Sequence, residues 1–488
     1  MIAVLLATAS AAPALAQASP PPAGPVLPAF PERAGEALVI SAHDATGVVE
    51  MRLSNGVVVR ARWALGRDPE RLGGGFRLSA VFGGGLLAET AESRGFSDAA
   101  ALGWASASIG AGDLGAELTS GEVRGLLSAS GLTLRVQNLP ASIRLEIEGR
   151  EGASLEAAAR LMSALVTRPT LDDNALAAWA AERSALRRAA PADTSARLRM
   201  EFDAATLPEG RWWVGPPGME AIERATPEAV RAWLDTGLAA WPLEWTVVGE
   251  IDAMRAAHLL RSAAGAVTPR AEPAPERFAL RRRGVRPAGP VERLATAREG
   301  PAVVAIGFHG AEGGDLSDAA RLGEVRRLIL AKMILDERLR AAFASLAEAS
   351  AAEGFAGGRL AGDAAYDPQG GGMTTGLVWA VAVARPGGGR ATADLMWAQV
   401  ERLAREGPGA EELERAVERV LQARGPEGDS AWYWVRVLES SSLRGLSLDT
   451  LTQTERALSE ATPAEIAQTL SAWSSPTRRF TVIVEPEG

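Results

Sequence analysis

The sequence predicts an α+β fold of two homologous domains, each an antiparallel sheet with helices packed on one face. Three observations predict it. A helix-then-strand unit occurs twice at a constant spacing, each half contains an alternating strand that runs into glycine, and each half closes on helices. In the first unit Thr226-Pro227-Glu228-Ala229-Val230 opens a helix, with Thr as N-cap and Pro in the first turn, and the strand Trp245-Thr246-Val247-Val248-Gly249-Glu250 follows. In the second, Thr462-Pro463-Ala464-Glu465-Ile466 opens a helix and Phe480-Thr481-Val482-Ile483-Val484-Glu485 follows. The two Thr residues lie 236 positions apart and Thr246 and Thr481 lie 235 apart. A period this long marks two copies of a domain, not a solenoid of short repeats.

The elements follow in order. Residues 1–16 form an apolar run ending in Ala14-Leu15-Ala16, the pattern of a cleaved signal peptide without the usual basic start. Residues 17–45 are a spacer rich in proline. The first domain, 46–266, opens on a hairpin over residues 50–59, turned by Asn55-Gly56. Phe76–Phe82 alternates like a half-buried strand and enters Gly83-Gly84-Gly85. Leu132–Val136 and Ile143–Ile147 are strands, and Leu155–Leu165 is a helix. Residues 267–290, rich in Pro, Gly and Arg, are a linker to the second domain, 291–488. There Ala302–Phe308 is the glycine-bound strand. A helix over Ser317–Phe343 carries the stripe Leu322, Val325, Ile329, Met333, Leu335 and Leu339. Gly358–Tyr366 and Thr375–Val383 are strands, and Ala391–Ala404 is the counterpart of the first domain's helix.

Composition narrows the function. The chain has 488 residues, of which 47% are hydrophobic and 23% charged, so it can bury full-sized cores. Its net charge of −9 argues against nucleic acid as a partner. It has no cysteine, which excludes disulfides, thiolate metal sites and a cysteine nucleophile. No stretch is apolar for long enough to span a membrane. The three histidines, His43, His258 and His309, are far apart and read as isolated residues.

Other motifs have plain explanations. Gly110-Ala111-Gly112-Asp113-Leu114-Gly115 matches G-x-G-x-x-G but follows no clear strand, and reads as a loop. Arg281-Arg282-Arg283 lies in the linker and reads as a solvated edge. Trp432-Tyr433-Trp434 suits core packing or a partner contact, and Trp212-Trp213-Val214-Gly215-Pro216-Pro217 reads as structural.

The order and spacing of these pieces resemble the pitrilysin/insulinase family of zinc proteases. The resemblance rests on Leu53-Ser54-Asn55-Gly56-Val57, the strand into Gly83-Gly84-Gly85-Leu86, Thr226-Pro227-Glu228, the strand from Trp245 to Asp252, and Leu335-Asp336-Glu337-Arg338-Leu339-Arg340. It implies two similar domains that form half of a peptide-enclosing chamber, with the other half a second chain or a fused copy. It also implies a zinc motif H-x-x-E-H on a helix after the glycine loop. The matching stretch here is Gly95-Phe96-Ser97-Asp98-Ala99-Ala100-Ala101-Leu102. Asp98 stands for the first His, Ala101 for the Glu and Leu102 for the second His. Ala and Leu can neither ligate a metal nor move a proton. The family's third ligand, a Glu, falls near Glu182. The expectation is no catalytic residue, no metal and no cofactor. Arg340 matches an Arg that holds substrate backbone in active relatives; the accompanying Tyr is absent from residues 341–353, and Tyr366 is the remaining candidate.

The function expected is a catalytically silent, periplasmic or secreted partner subunit of a zinc-bearing paralogue that binds unfolded peptides. The alternatives are a stand-alone peptide-binding or scaffold protein, or a metallopeptidase with an unrecognised site; self-association is the alternative to the paralogue as partner.

Overall fold

A computed structural model describes residues 25–64, 75–111, 117–139, 142–150, 152–189, 192–206, 217–272, 290–309, 319–352, 362–367, 377–422, 430–439 and 441–487. The signal segment, Arg281-Arg282-Arg283 and Trp212-Trp213 lie outside them. So do Gly112, Asp113, Leu114 and Gly115.

The first sheet contains β1 (Ala37–His43), β2 (Val48–Leu53), β3 (Val58–Trp63), β4 (Phe76–Phe82), β6 (Leu132–Leu139), β7 (Ser142–Gly149) and β9 (Leu243–Gly249). Two-residue strands β5 (Ser108–Ile109) and β8 (Pro169–Thr170) pair apart from it. The helices of this half are α1 (Phe96–Ala105), α2 (Ser120–Ala129), α3 (Leu155–Thr167), α4 (Asp173–Ala189), α5 (Thr194–Thr206), α6 (Met219–Arg224), α7 (Pro227–Ala240) and α8 (Ala253–Ala263). The second sheet contains β10 (Val291–Ala297), β11 (Ala302–His309), β12 (Gly362–Asp367), β13 (Leu377–Ala384) and β14 (Arg479–Pro486). Its half holds α9 (Ala319–Ala352), α10 (Gly389–Glu406), α11 (Ala410–Gln422), α12 (Ala431–Leu438), α13 (Leu448–Thr452), α14 (Thr454–Ser459) and α15 (Pro463–Trp473).

The strand orders are β1-β2-β3-β9-β4-β7-β6 and β10-β14-β11-β13-β12. From β3 onward the first order has the same wiring as the second, with the hairpin β1-β2 added at one edge; β1 falls inside residues 17–45, read from the sequence as a spacer, because the β-prone run Leu38-Val39-Ile40 pairs with β2. The sheets are not wholly antiparallel, as the sequence suggested. Each has one parallel pair, β3 with β9 and β10 with β14. The cause is connectivity, because the last strand of each half returns to the sheet beside the first strand of the shared wiring.

The recurrent unit owes its shape to local chemistry. Thr226 caps α7 through the Ala229 amide, and Thr462 caps α15 with a full capping box to Glu465. The β2–β3 turn needs glycine: Gly56 has φ 80°, and a Cβ there would sit 2.0 Å from the Arg270 carbonyl oxygen. The Asn55 amide donates to the carbonyls of Ala264 and Val267, tying the turn to the end of α8. Arg270 donates to the carbonyls of Leu238 and Trp241 at the end of α7, and burial pulls its pKa down to about 10. The long helix α9 runs past its predicted end at Phe343 to Ala352, because residues 341–352 are mostly alanine and other good helix formers. Gly407, at φ 73°, ends α10.

Alternation along each strand sorts side chains between two faces. In β9, Leu243, Trp245 and Val247 join Leu78, Phe82, Trp104 and Leu161 in the core under the first half's own helices. In β11, Val304, Ile306 and Phe308 face α9 and α10 in the second core. The opposite faces are covered too, where one-sided packing was expected. Each is roofed by one helix from the other half: α12 lies on the first sheet and α5 on the second. Thr194, which opens α5, and Ser430, which caps α12, stand 236 residues apart, the same interval as the Thr-Pro helices.

Under α5 the contact is apolar. Leu198 and Ala205 pack with Val303, Ala305, Val482 and Val484, and Phe202 meets Phe480 and Trp379 edge-on at 5.3 and 5.9 Å. Under α12 an apolar strip, in which Ala431, Val435 and Leu438 meet Val48, Ala64 and Val248, is joined by a buried ionic array. Glu439 accepts from Arg144, from Ser79 Oγ at 2.9 Å and from Arg436 at 2.9 Å. Glu146 accepts from Arg77 at 2.9 Å and from Arg436 at 2.8 Å. Glu244 accepts from Arg60 and from the Leu443 amide at 3.0 Å. Arg60 also donates to Glu50 at 2.8 Å. Burial alone would raise the Glu50 pKa, but the Arg60 and Arg52 guanidinium groups outweigh it and hold the carboxyl below its ordinary value.

Candidate functional site

The site is built on α1. Gly95 precedes it at φ 92°, and a Cβ there would come within 3.2 Å of the Trp179 ring. The buried Glu89 carboxylate accepts from the Gly95 amide at 3.0 Å, the Ser97 amide at 2.9 Å and Ser97 Oγ at 2.5 Å. An anion at a helix N-terminus satisfies the orphan amides and complements the helix dipole. Arg94 donates to the same carboxylate at 2.9 Å.

One turn on, Asp98 faces α4. Its Oδ2 accepts from Trp179 Nε1 at 2.8 Å and from Arg183 Nε and Nη2 at 3.0 and 2.6 Å. Gly103 meets Leu171 and Leu176, so the two helices run antiparallel. Ala101 is buried in this seam, while Leu102 is 40% exposed. Glu182 is exposed on α4. The side chains that engage Asp98 are therefore Trp179 and Arg183, one of them the residue after Glu182. Sequence inspection missed them and Glu89. The spacing Leu176, Trp179, Arg183 is the available signal, since it puts all three on one helical face.

Zinc chemistry can be tested against these residues. Asp98, which the resemblance sets at the first-His position, already holds the Arg183 guanidinium, and Ala101 and Leu102 carry no side-chain donor atom. A divalent cation beside Arg183 would also meet like charge. The residues do not fit the metal. Among the described residues no group of three or more His, Cys, Asp or Glu could hold an ion. The histidines are not brought together. His43 on β1 bonds Asp449 at 2.8 Å and Thr46 Oγ1 at 2.9 Å, His258 lies on α8, and His309 is buried on β11.

Next to α1 runs β6, the last strand of the first sheet. Thr133, Arg135 and Gln137 are exposed along it, and Asn138 donates to Ser97 Oγ at 3.0 Å. Its outer edge has no strand partner among the described residues. Arg340 and Tyr366 lie in the other half, on α9 and β12. Arg340 is 58% exposed and ion-paired to Asp336 one turn back at 3.0 Å; Tyr366 sits opposite Val378 in the ladder. Of the aromatic cluster on α12, Trp434 stacks under Arg62 at 3.7 Å and Trp432 is 43% exposed.

The fold is shared with solved structures. A peptidase M16 inactive domain from Pseudomonas fluorescens superposes with a TM-score of 0.72 at 16% identity, over 90% of this chain and 98% of that one. The fold is that of the M16-like peptidases. The periplasmic protease PqqL from Escherichia coli matches with a TM-score of 0.72 at 15% identity, over 97% of this chain and 49% of its own. A protease from Helicobacter pylori matches with a TM-score of 0.68 at 14% identity, over 94% and 100%. The chain thus spans nearly the full length of two of these structures and about half of PqqL. No family profile and no curated protein matches the sequence. No helix among the described residues is long and apolar enough to cross a membrane.

Proposed function

We propose that this chain is a catalytically silent M16-like subunit, exported to the periplasm, that pairs with a zinc-bearing chain of the same fold and supplies half of a peptide-enclosing chamber. The observation that carries the proposal is the Asp98–Arg183–Trp179 cluster at the place where the family resemblance puts its metal. A guanidinium there supplies positive charge and ties α1 to α4. It offers no open coordination position and activates no water, the two things a hydrolytic metal must do. Peptide binds by adding a strand to β6, whose unpaired edge lies beside α1 and whose exposed polar side chains leave the backbone accessible. Arg340 and Tyr366 contribute contacts from the second half.

The lengths of the relatives support a half-chamber role, since PqqL is about twice as long. Mixing the pure chain with a zinc-bearing chain that carries H-x-x-E-H is expected to raise peptidase activity and to yield a complex on gel filtration. No complex at micromolar concentration would leave the stand-alone peptide-binding alternative. Stoichiometric zinc in the pure chain, with chelator-sensitive peptidase activity, would overturn the silent assignment.

A further inference from the structure

Away from α1, a cavity of about 420 Å³ lies between the outer face of β2–β3 and residues 441–449 of the second half. It is within the range of small-molecule sites. Its lining carries Arg52 and Arg60 against Glu50, Glu272 and Asp449. Arg52 stands at one end, 48% exposed, with contacts of 3.3 Å to Glu50 and 3.8 Å to Glu272. Those are long for charge-assisted bonds, which favour ~2.7–2.9 Å. The Arg52 guanidinium is therefore held loosely, while Arg60 beneath it is fully committed to Glu50 and Glu244. Asp449 stands at the other end, 80% exposed and held in place by His43 at 2.8 Å. Val58 and Leu448 supply an apolar wall. Ser441 is also in the lining. It is 1% exposed, and its Oγ has no hydrogen-bond partner among the described residues. A buried hydroxyl without a partner is uncommon and gains from a ligand that satisfies it.

We infer that this cavity binds a dipeptide with free termini, its carboxylate on Arg52 and its ammonium toward Asp449. The ladder sets the scale: His43 pairs opposite Val48, and Arg52 lies four residues farther along β2, so the backbone positions that carry the two ends are about 13 Å apart at ~3.3 Å per residue. Two extended residues span ~7 Å, and a hydrogen bond of ~2.8 Å at each end brings the total close to that figure. A single amino acid reaches one end only. The central amide of a dipeptide passes Ser441, and an apolar side chain rests on Val58 and Leu448. Peptide hydrolysis is the class of reaction that supplies such a ligand.

The test is isothermal titration calorimetry of the full chain with alanyl-leucine, its N-acetyl and C-amide derivatives, and leucine. Alanyl-leucine is expected to bind with a Kd of about 1 mM or tighter. The capped forms and leucine are expected to bind at least ~10-fold more weakly. Arg52→Gln should weaken alanyl-leucine by a similar factor while the chain stays folded at the assay temperature, and Asp449→Asn should do so through the other end. No heat at 10 mM ligand, equal binding of free and capped dipeptides, or full binding by both variants would overturn the assignment. The measurement uses the chain alone, so its result is separate from whether a zinc-bearing partner exists.

Discussion

The two roofed faces of the molecule make an instructive pair. Each sheet is covered on its outer side by one helix from the other half, yet the chemistry differs. Under α5 aliphatic and aromatic side chains interlock around Phe202 and Phe480. Under α12 three buried glutamates, Glu146, Glu244 and Glu439, are gripped by Arg60, Arg77, Arg144 and Arg436. Apolar contact is cohesive but tolerant of sliding. A buried ionic array contributes little net stability, because desolvation offsets attraction, but it penalises every misplaced partner. One wiring thus carries a cohesive joint and a register-setting joint.

The largest expected effect tests the ionic joint. Glu439→Ala leaves Arg144 buried without its carboxylate and strips half-buried Arg436 of one of two, and should lower unfolding free energy by about 3 kcal/mol in denaturant titrations. Replacing the pair together, Arg144→Met with Glu439→Leu, should recover most of that loss; failure to recover would mean that the array stabilises in its own right. On the apolar joint, Phe202→Ala should cost about 2–3 kcal/mol, below the usual Phe→Ala value because Phe202 is half-buried.

Acid sharpens the contrast. The folded-state pKa of Glu50 is held below its ordinary 4.5 by Arg60 and Arg52. Its contribution is therefore complete above pH 4.5 and is lost as pH falls through the lower folded value. Unfolding of Glu50→Gln compared with the parent across pH 3–7 should show a gap that closes at the acid end. The smallest effect concerns the matched helix starts. Thr226→Ala and Thr462→Ala should each cost about 1 kcal/mol, measured by thermal unfolding, and a large inequality would show that the two units are energetically unlike.

How much of this was legible in the sequence depends on the distance over which each feature acts. The Thr-Pro helix starts, the Asn55-Gly56 turn and the strand from Trp245 are local, and the structure has them where the pattern put them. The roofing helices were not legible, because α12 is as apolar along its sequence as a core helix of its own half would be. The ionic array was hidden for a related reason: Ser79 and Glu439 are 360 residues apart, and Arg144 and Glu439 are 295 apart. At α1 the residue types Asp98, Ala101 and Leu102 could be read directly, and the resemblance sets them where it expects the zinc motif. That Arg183 answers Asp98 required the angle at which α4 crosses, so attention fell on Glu182 instead.

The reciprocal roofing has a consequence for a broken backbone. A single cut between residues 273 and 289 would release no lobe, because neither piece can depart without stripping the other's sheet. The nicked protein should travel as one body in gel filtration and come apart only in denaturant, the two fragments held like clasped hands.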